Sequence, residues 1–299
     1  MRIAVPVAAY EQGTTGEYVA RALRQLGHDA EILGQWQFYD AFCNNEYDLY
    51  FCVDSGGPLN LFEMSILQGP WKRLAMWLID YRRGKTLKNP NDQATAKFIN
   101  DMGGWVFQAQ FEDFTECLRA GWRCSWLPLA ADPDVWSNEP PQEKVYDVGF
   151  VGNVWDGERM GALTDIQSSG LRLCWQGHGA AYMEAGAHLL RSSWVGFNIS
   201  SFFGSPLAYD VNMRVFETLS CGIPLVTNAT PSIDRIFGAQ PFLRTFTDRR
   251  QIVPLLKEGV RNREFVDAGQ SAREWILSYG TYVLRMEQAL GTLHDQGML

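Results

Sequence analysis

Arg214 and Glu217 stand three residues apart in the run Asp210-Val211-Asn212-Met213-Arg214-Val215-Phe216-Glu217-Thr218-Leu219-Ser220-Cys221-Gly222-Ile223-Pro224-Leu225-Val226-Thr227-Asn228. A guanidinium can grip phosphate oxygens with two parallel N–H groups. A carboxylate can accept from the two neighbouring hydroxyls of a ribose. Residues three apart on a helix share a face, so both groups could serve one nucleotide. The same spacing also suits a plain surface ion pair worth a few tenths of a kcal/mol. Asp54 and Asp80 each close an apolar run that reads as a strand, and an acid at a strand's C-terminal end is a common site position in α/β folds. Asp54 precedes Ser55-Gly56-Gly57-Pro58, which suits a site loop and a plain turn equally. Asp80 could instead cap a turn or pair with Arg82 or Arg83.

These residues need a frame, and the chain supplies a repeating strand and helix pattern. In the central run, Asp210 or Asn212 can cap a short helix, with Gly222 and Pro224 stopping it. Val215, Phe216 and Leu219 fall on one helix face and Arg214 with Glu217 on the opposite one. Leu225 to Thr227 then reads as a buried strand. Upstream, strands are predicted at 2–7, 29–33, 48–53, 74–79, 104–109, 124–129, 146–151, 171–176 and 194–200, and downstream near 242–245. Helices are predicted near 15–26, 94–102, 111–120, 181–191, 233–237, 250–258, 265–278 and 282–293. Two successive α/β series of this kind predict an α/β fold with parallel sheets in two domains. The polar stretch 137–144, with Pro140-Pro141, is the linker candidate. Gly152 and Asn153 end one strand of the second series, where glycine would permit close approach of a diphosphate or simply make a turn. Gly177-His178-Gly179 ends the next and Asn198 the one after.

The 299 residues are 46% hydrophobic and carry a net charge of −8, which argues against a general nucleic-acid or anionic-membrane binder. The stretch 71–88 departs from that balance, with six basic residues against Asp80 alone. It reads as a solvated surface, or as a cleft for a polyanionic acceptor in which Arg82 and Arg83 hold phosphates. Trp36, Phe38, Tyr39 or Trp77 would then stack on bases. Six cysteines without a C-x-x-C pair and only four histidines predict no metal site and reduced thiols. No run approaches a membrane span and residues 1–10 do not read as a secretory signal, so the cytoplasm is the expected compartment. A full G-x-G-x-x-G fingerprint is missing, which leaves a dinucleotide site little support. No obligatory protein partner is evident.

The central run resembles the donor-binding segment of GT-B glycosyltransferases. More narrowly, it is similar to the family of the spore-maturation protein CgeB, with its N-x-R-V-F-E-[AT]-L-[AS]-C-G motif. Trp77-Leu78-Ile79-Asp80 resembles that family's W-x-I-D. Leu127 to Val135 resembles its L-P-L-x-x-D-P-x-[VF], and Gly280-Thr281-Tyr282 with Arg285 its H-T-Y-x-x-R ending, with glycine in place of the histidine. The resemblance implies two Rossmann-like domains facing across a cleft. Residues 1–140 would bind the acceptor and 145–278 the nucleotide-sugar, and a helix in 279–299 would cross back to the first domain. It implies transfer of a hexosyl or pentosyl group from a UDP-sugar to a hydroxyl, without a metal or a permanently bound cofactor. Gly152, Asn153, Gly177, Asn198, Asp210, Asn212, Arg214 and Glu217 would hold the donor, and Arg82, Arg83 and Trp77 the acceptor. Asp80 leads as base, with Asp54 and Glu11 as rivals. Retaining relatives often place a second Glu eight residues before the motif Glu. Here that position is Tyr209, beside Asp210, so the stereochemistry stays open. The acceptor could be a small molecule, a protein or a glycan, or a hydroxymethylated base in DNA. A sugar-nucleotide binder without turnover is the other class.

Overall fold

A computed structural model describes residues 1–7, 14–54, 68–79, 90–154, 157–177, 183–200, 203–204 and 211–299. The chain forms two compact units, Met1–Pro128 with Tyr282–Leu299, and Leu129–Thr281. The stretch 137–144 groups with the second unit. Among the described residues no helix is long and apolar enough to cross a membrane.

The first unit is built on six parallel strands: β1 (Arg2–Pro6), β2 (Asp29–Leu33), β3 (Leu49–Asp54), β4 (Leu74–Leu78), β5 (Trp105–Gln108) and β6 (Cys124–Trp126). Their order across the sheet is β2-β1-β3-β4-β5-β6. The chain therefore builds outward one way from β1 and then the other way from β3, and ligands bind beyond the strand ends at such reversals. Strand alternation sorts the side chains to two faces. Tyr50, Cys52, Leu74 and Met76 join Phe38, Phe42 and Trp71 in one core cluster. Phe51, Trp77 and Phe107 form a ring cluster on the other face. Among the described residues the helices are α1 (Thr15–Gln25), α2 (Gln35–Cys43), α3 (Pro90–Asp101) and α4 (Phe111–Arg119), and a 3₁₀ turn spans Trp71–Arg73. Helix α2 was not foreseen, because its aromatics read as stacking groups. Strand β6 stops at Trp126, short of the expected 129; Pro128 has no N–H for the ladder.

The second unit carries β7 (Tyr146–Val151), β8 (Leu173–Gln176), β9 (Ser193–Phe197), β10 (Leu225–Asn228) and β11 (Leu243–Phe246), all parallel, in the order β11-β10-β9-β7-β8. Its reversal lies between β7 and β9. Helices α5 (Gly157–Ser168), α6 (Glu184–Arg191), α7 (Met213–Ser220), α8 (Pro231–Phe237), α9 (Ile252–Arg261), α10 (Arg263–Asp267) and α11 (Gly269–Tyr279) accompany them. Helix α5 was missed; its glycines at 157 and 161 blur the helical pattern. The helix expected over 265–278 is two helices, since Asn262 caps the first through its Oδ1 on Phe265 N at 3.0 Å and the chain turns at Ala268.

Helix α7 ends as its sequence dictates. Gly222 takes a φ of +71° just after Cys221, Gly222 N reaches Leu219 O and Ile223 N reaches Thr218 O. That double closure satisfies the last carbonyls and requires a residue tolerant of positive φ. Gly196 of β9 lets the same helix approach the sheet, because a Cβ there would lie 2.3 Å from Thr218 Cγ2. The last helix, α12 (Tyr282–Asp295), belongs to the first unit and packs on α1, with Tyr282 near Tyr18 and Trp77. Arg285 of α12 donates its Nε to Pro128 O at 2.9 Å.

Candidate functional site

Helix α7 opens at Asn212, whose backbone is extended (φ −80°, ψ 164°). Asn212 is the cap by position, but its side chain makes no capping bond, contrary to expectation. Its Oδ1 is buried and has no hydrogen-bond partner among the described residues. Two residues on, Arg214 Nη1 meets Glu217 Oε2 at 2.5 Å, and the Arg214 guanidinium lies 5.2 Å from the Trp136 ring centre. The Glu217 side chain is only 1% exposed, against 23% for Arg214. An isolated amphipathic helix would leave the Arg/Glu side open. Here every residue from Val215 to Ser220 is buried. The cause is tertiary: Ser220 Oγ donates to Trp136 O at 2.6 Å, and Arg273 of α11 donates to Ser220 O at 2.6 Å. Burial pushes the Glu217 carboxyl above its ordinary range, and the charge and hydrogen bond of Arg214 only partly oppose this. A carboxylate kept at that cost beside a half-open guanidinium is a functional candidate with a physical rationale.

The strand ends around α7 add further polar groups. Gly152 follows β7 and its N–H donates to Gln176 O at 3.3 Å. Arg159 of α5, almost fully buried, donates Nε to Ile199 O at 3.1 Å and Nη1 to Asn153 O at 2.9 Å. It thus ties the loops after β7 and β9 at the reversal of the sheet. Asn198 gives its amide to Thr227 Oγ1 at 2.9 Å, so that donor serves strand-end order. Ser200 N donates to Asn228 Oδ1 at 2.7 Å. Gly177 directly follows β8. Besides Asn212 Oδ1, the buried Gln176 Oε1 and Ser200 Oγ at these same ends lack a hydrogen-bond partner among the described residues. Buried polar atoms are rarely left unpaired, and a catalytic role is one of the reasons for an exception. Arg159, Gln176 and Trp136 were not foreseen, because a lone residue of each type carries no motif.

In the first unit, Asp54 is the last residue of β3, in register with Leu78, beside the β1/β3 reversal. Asp80, Arg82, Arg83, Glu11, His178 and Asp210 lie outside the described residues. Trp77 does not offer an acceptor-stacking face. It is 0% exposed, meets Phe51 and Tyr282 edge-on and donates Nε1 to Leu127 O at 2.9 Å. Phe38 and Tyr39 are likewise core residues, whereas Trp36 is 71% exposed. Lys72 and Arg73 are exposed. Among the described residues no three His, Cys, Asp or Glu side chains group to hold a metal.

Residues 141–291 match the model of the family described as Glycosyl transferase-like, which is half of the chain. The chain belongs to this family. Among solved structures, this glycosyl transferase-like chain is similar to Anabaena HepE in complex with UDP-glucose (TM-score 0.67, 14% identity, 99% of this chain and 100% of that one). It is similar to sucrose-phosphate synthase from Thermosynechococcus elongatus (TM-score 0.65, 10% identity, 99% of each chain). It is also similar to an alpha-glucosyltransferase in complex with UDP and a 13-mer DNA containing an HMU base (TM-score 0.65, 10% identity, 98% of this chain and 99% of that one). No curated protein matches it. The fold is GT-B.

Proposed function

We propose that the protein transfers a sugar from a UDP-sugar to a hydroxyl acceptor. The observation that carries this reading is the buried Glu217, held by Arg214 on a helix that opens beside polar atoms with no hydrogen-bond partner among the described residues. Glu217 accepts from the ribose hydroxyls. Arg214 takes the diphosphate charge that grows as the anomeric carbon–oxygen bond breaks, with Gly152 and Asn153 permitting its close approach to the end of β7. Gly177, Asn198, Asn212 and Asp210 complete the donor side, with Asn198 acting through strand-end order. The acceptor oxygen bonds to the anomeric carbon, and its proton passes to a carboxylate of the first unit, Asp80 or Asp54. The scheme uses no metal and no permanently bound cofactor, and the cysteine usage keeps the cytoplasm as the expected compartment. Solved structures of HepE with UDP-glucose and of the alpha-glucosyltransferase with UDP support UDP as the carrier. The narrower likeness to the CgeB family rests on the motif around Glu217 and on Trp77 to Asp80.

A thermal-shift panel of UDP, GDP, ADP, TDP and CMP tests the donor reading. A nucleotide at 100 times its Kd stabilises the folded state by about 2.7 kcal/mol. UDP should shift the midpoint, and Glu217→Ala should abolish the shift. If no nucleotide moves the wild-type midpoint at millimolar concentration, the reading is lost.

One observation favours a DNA acceptor within the same activity: the net positive stretch 71–88 in an acidic chain. Arg82 and Arg83 would hold the phosphates and the exposed Trp36 would stack on a base. Salt-dependent binding of DNA carrying a hydroxymethylated base, abolished by Arg82→Glu with Arg83→Glu, is the expected result. Salt-independent binding removes this acceptor.

A further inference from the structure

Trp136 is almost fully buried in the second unit, and its backbone is pinned with unusual care. Its carbonyl accepts from Ser220 Oγ at 2.6 Å and from Arg273 Nη1 at 3.4 Å. The next carbonyl, of Ser137, accepts from Arg191 Nη1 at 2.9 Å. Arg273 also holds Ser220 O, so the segment and the C-terminal end of α7 are clasped together. With the backbone fixed there, the indole face lies against the Arg214 guanidinium at the other end of the helix. A guanidinium presents its N–H groups in one plane, and stacking leaves its edges free. One edge is spent on Glu217, and the side chain keeps a partly open remainder.

We propose that Trp136 is the positioning residue that holds the phosphate-binding edge of Arg214 in place, an inference that rests on the donor reading above. When ribose hydroxyls draw on Glu217, the carboxylate's hold on Arg214 weakens. The indole face does not depend on that carboxylate, so it keeps the guanidinium plane aimed while the free edge meets the diphosphate. A purely apolar neighbour of equal volume would fill the same space without directing the charge.

Titration of UDP and of uridine against the wild type and Trp136 variants separates the phosphate contribution from the rest. Trp136→Met should raise the Kd for UDP about three- to thirtyfold, the range a desolvated cation–π contact commands. Uridine binding should change less than twofold, and Trp136→Phe should restore UDP binding to within about threefold of wild type. Site-specific fluorination of Trp136 drains the π face without changing its shape, so it serves even if the Met variant does not fold. UDP affinity should fall stepwise with each fluorine. A flat fluorine series, or equal losses for UDP and uridine, overturns the proposal while leaving the donor reading intact. A wild type that binds neither ligand removes both.

Discussion

The two units share one plan, a parallel sheet with a reversal of strand order, yet they bury different chemistry. In the first, the core is dense with rings: Phe38, Phe42, Tyr50 and Trp71 on one face, Phe51, Trp77 and Phe107 on the other. In the second, the strand ends and α7 bury Asn198, Ser200, Glu217, Thr218, Ser220, Thr227 and Asn228. Apolar burial stabilises in proportion to area and tolerates no special geometry beyond fit. Buried polar groups cost free energy unless each finds a partner. Each such group near α7 therefore has to be matched by a partner, a demand that the ring-filled core of the first unit does not make.

That contrast can be broken by mutations that act on one unit and are read in both. The largest effect belongs to Trp77→Ala, which empties a packed ring site and should cost about 3–5 kcal/mol in denaturant unfolding. The Kd for UDP of the folded variant should stay within twofold of wild type. A larger change would tie the donor site to the first unit's core.

A smaller effect, with a pH signature, belongs to Glu217→Gln. The Glu217 carboxyl titrates higher in the folded chain than in the unfolded one, chiefly because it is buried. The folded chain therefore holds an extra proton between the two values. The stability this supplies is full below the ordinary value of 4.5 and is lost as pH rises through the folded value. Glutamine cannot ionise. The Tm difference between Glu217→Gln and wild type should be near zero below about pH 4.5 and grow in favour of the variant toward pH 8. UDP affinity should fall in the same variant. A constant difference across pH would mean that Glu217 is not held at a desolvation cost.

The smallest effect is expected at Trp36, whose side chain is mostly in solvent. Trp36→Ala should change unfolding stability by no more than about 0.5 kcal/mol. A larger loss would move Trp36 from the surface to the core in function.

The α/β class and most strands of both sheets were legible, because buried parallel strands write themselves as short β-branched and apolar runs. Tyr146 to Val151 was placed to the residue. The pairing of Arg214 with Glu217 was legible from spacing alone. Its burial was not, since Trp136 and Arg273 lie 78 and 59 residues away and only the folded chain brings them to α7. Trp77 misled for a related reason. A tryptophan beside basic residues looks like a stacking platform, but its strand register turns it toward Tyr282 in a helix at the far end of the chain.

That last helix has a consequence for how the chain is made. Helix α1 packs against α12 across most of the length of the polypeptide, and Arg285 closes on Pro128 across about half of it. The second unit is continuous, from Leu129 to Thr281, and its contacts become available as soon as it leaves the ribosome. The first unit begins earlier but finishes later, because Tyr18 and Trp77 meet Tyr282 only after the whole second unit has been synthesised. The half that starts first thus waits, with an aromatic face uncovered, for the half that starts second.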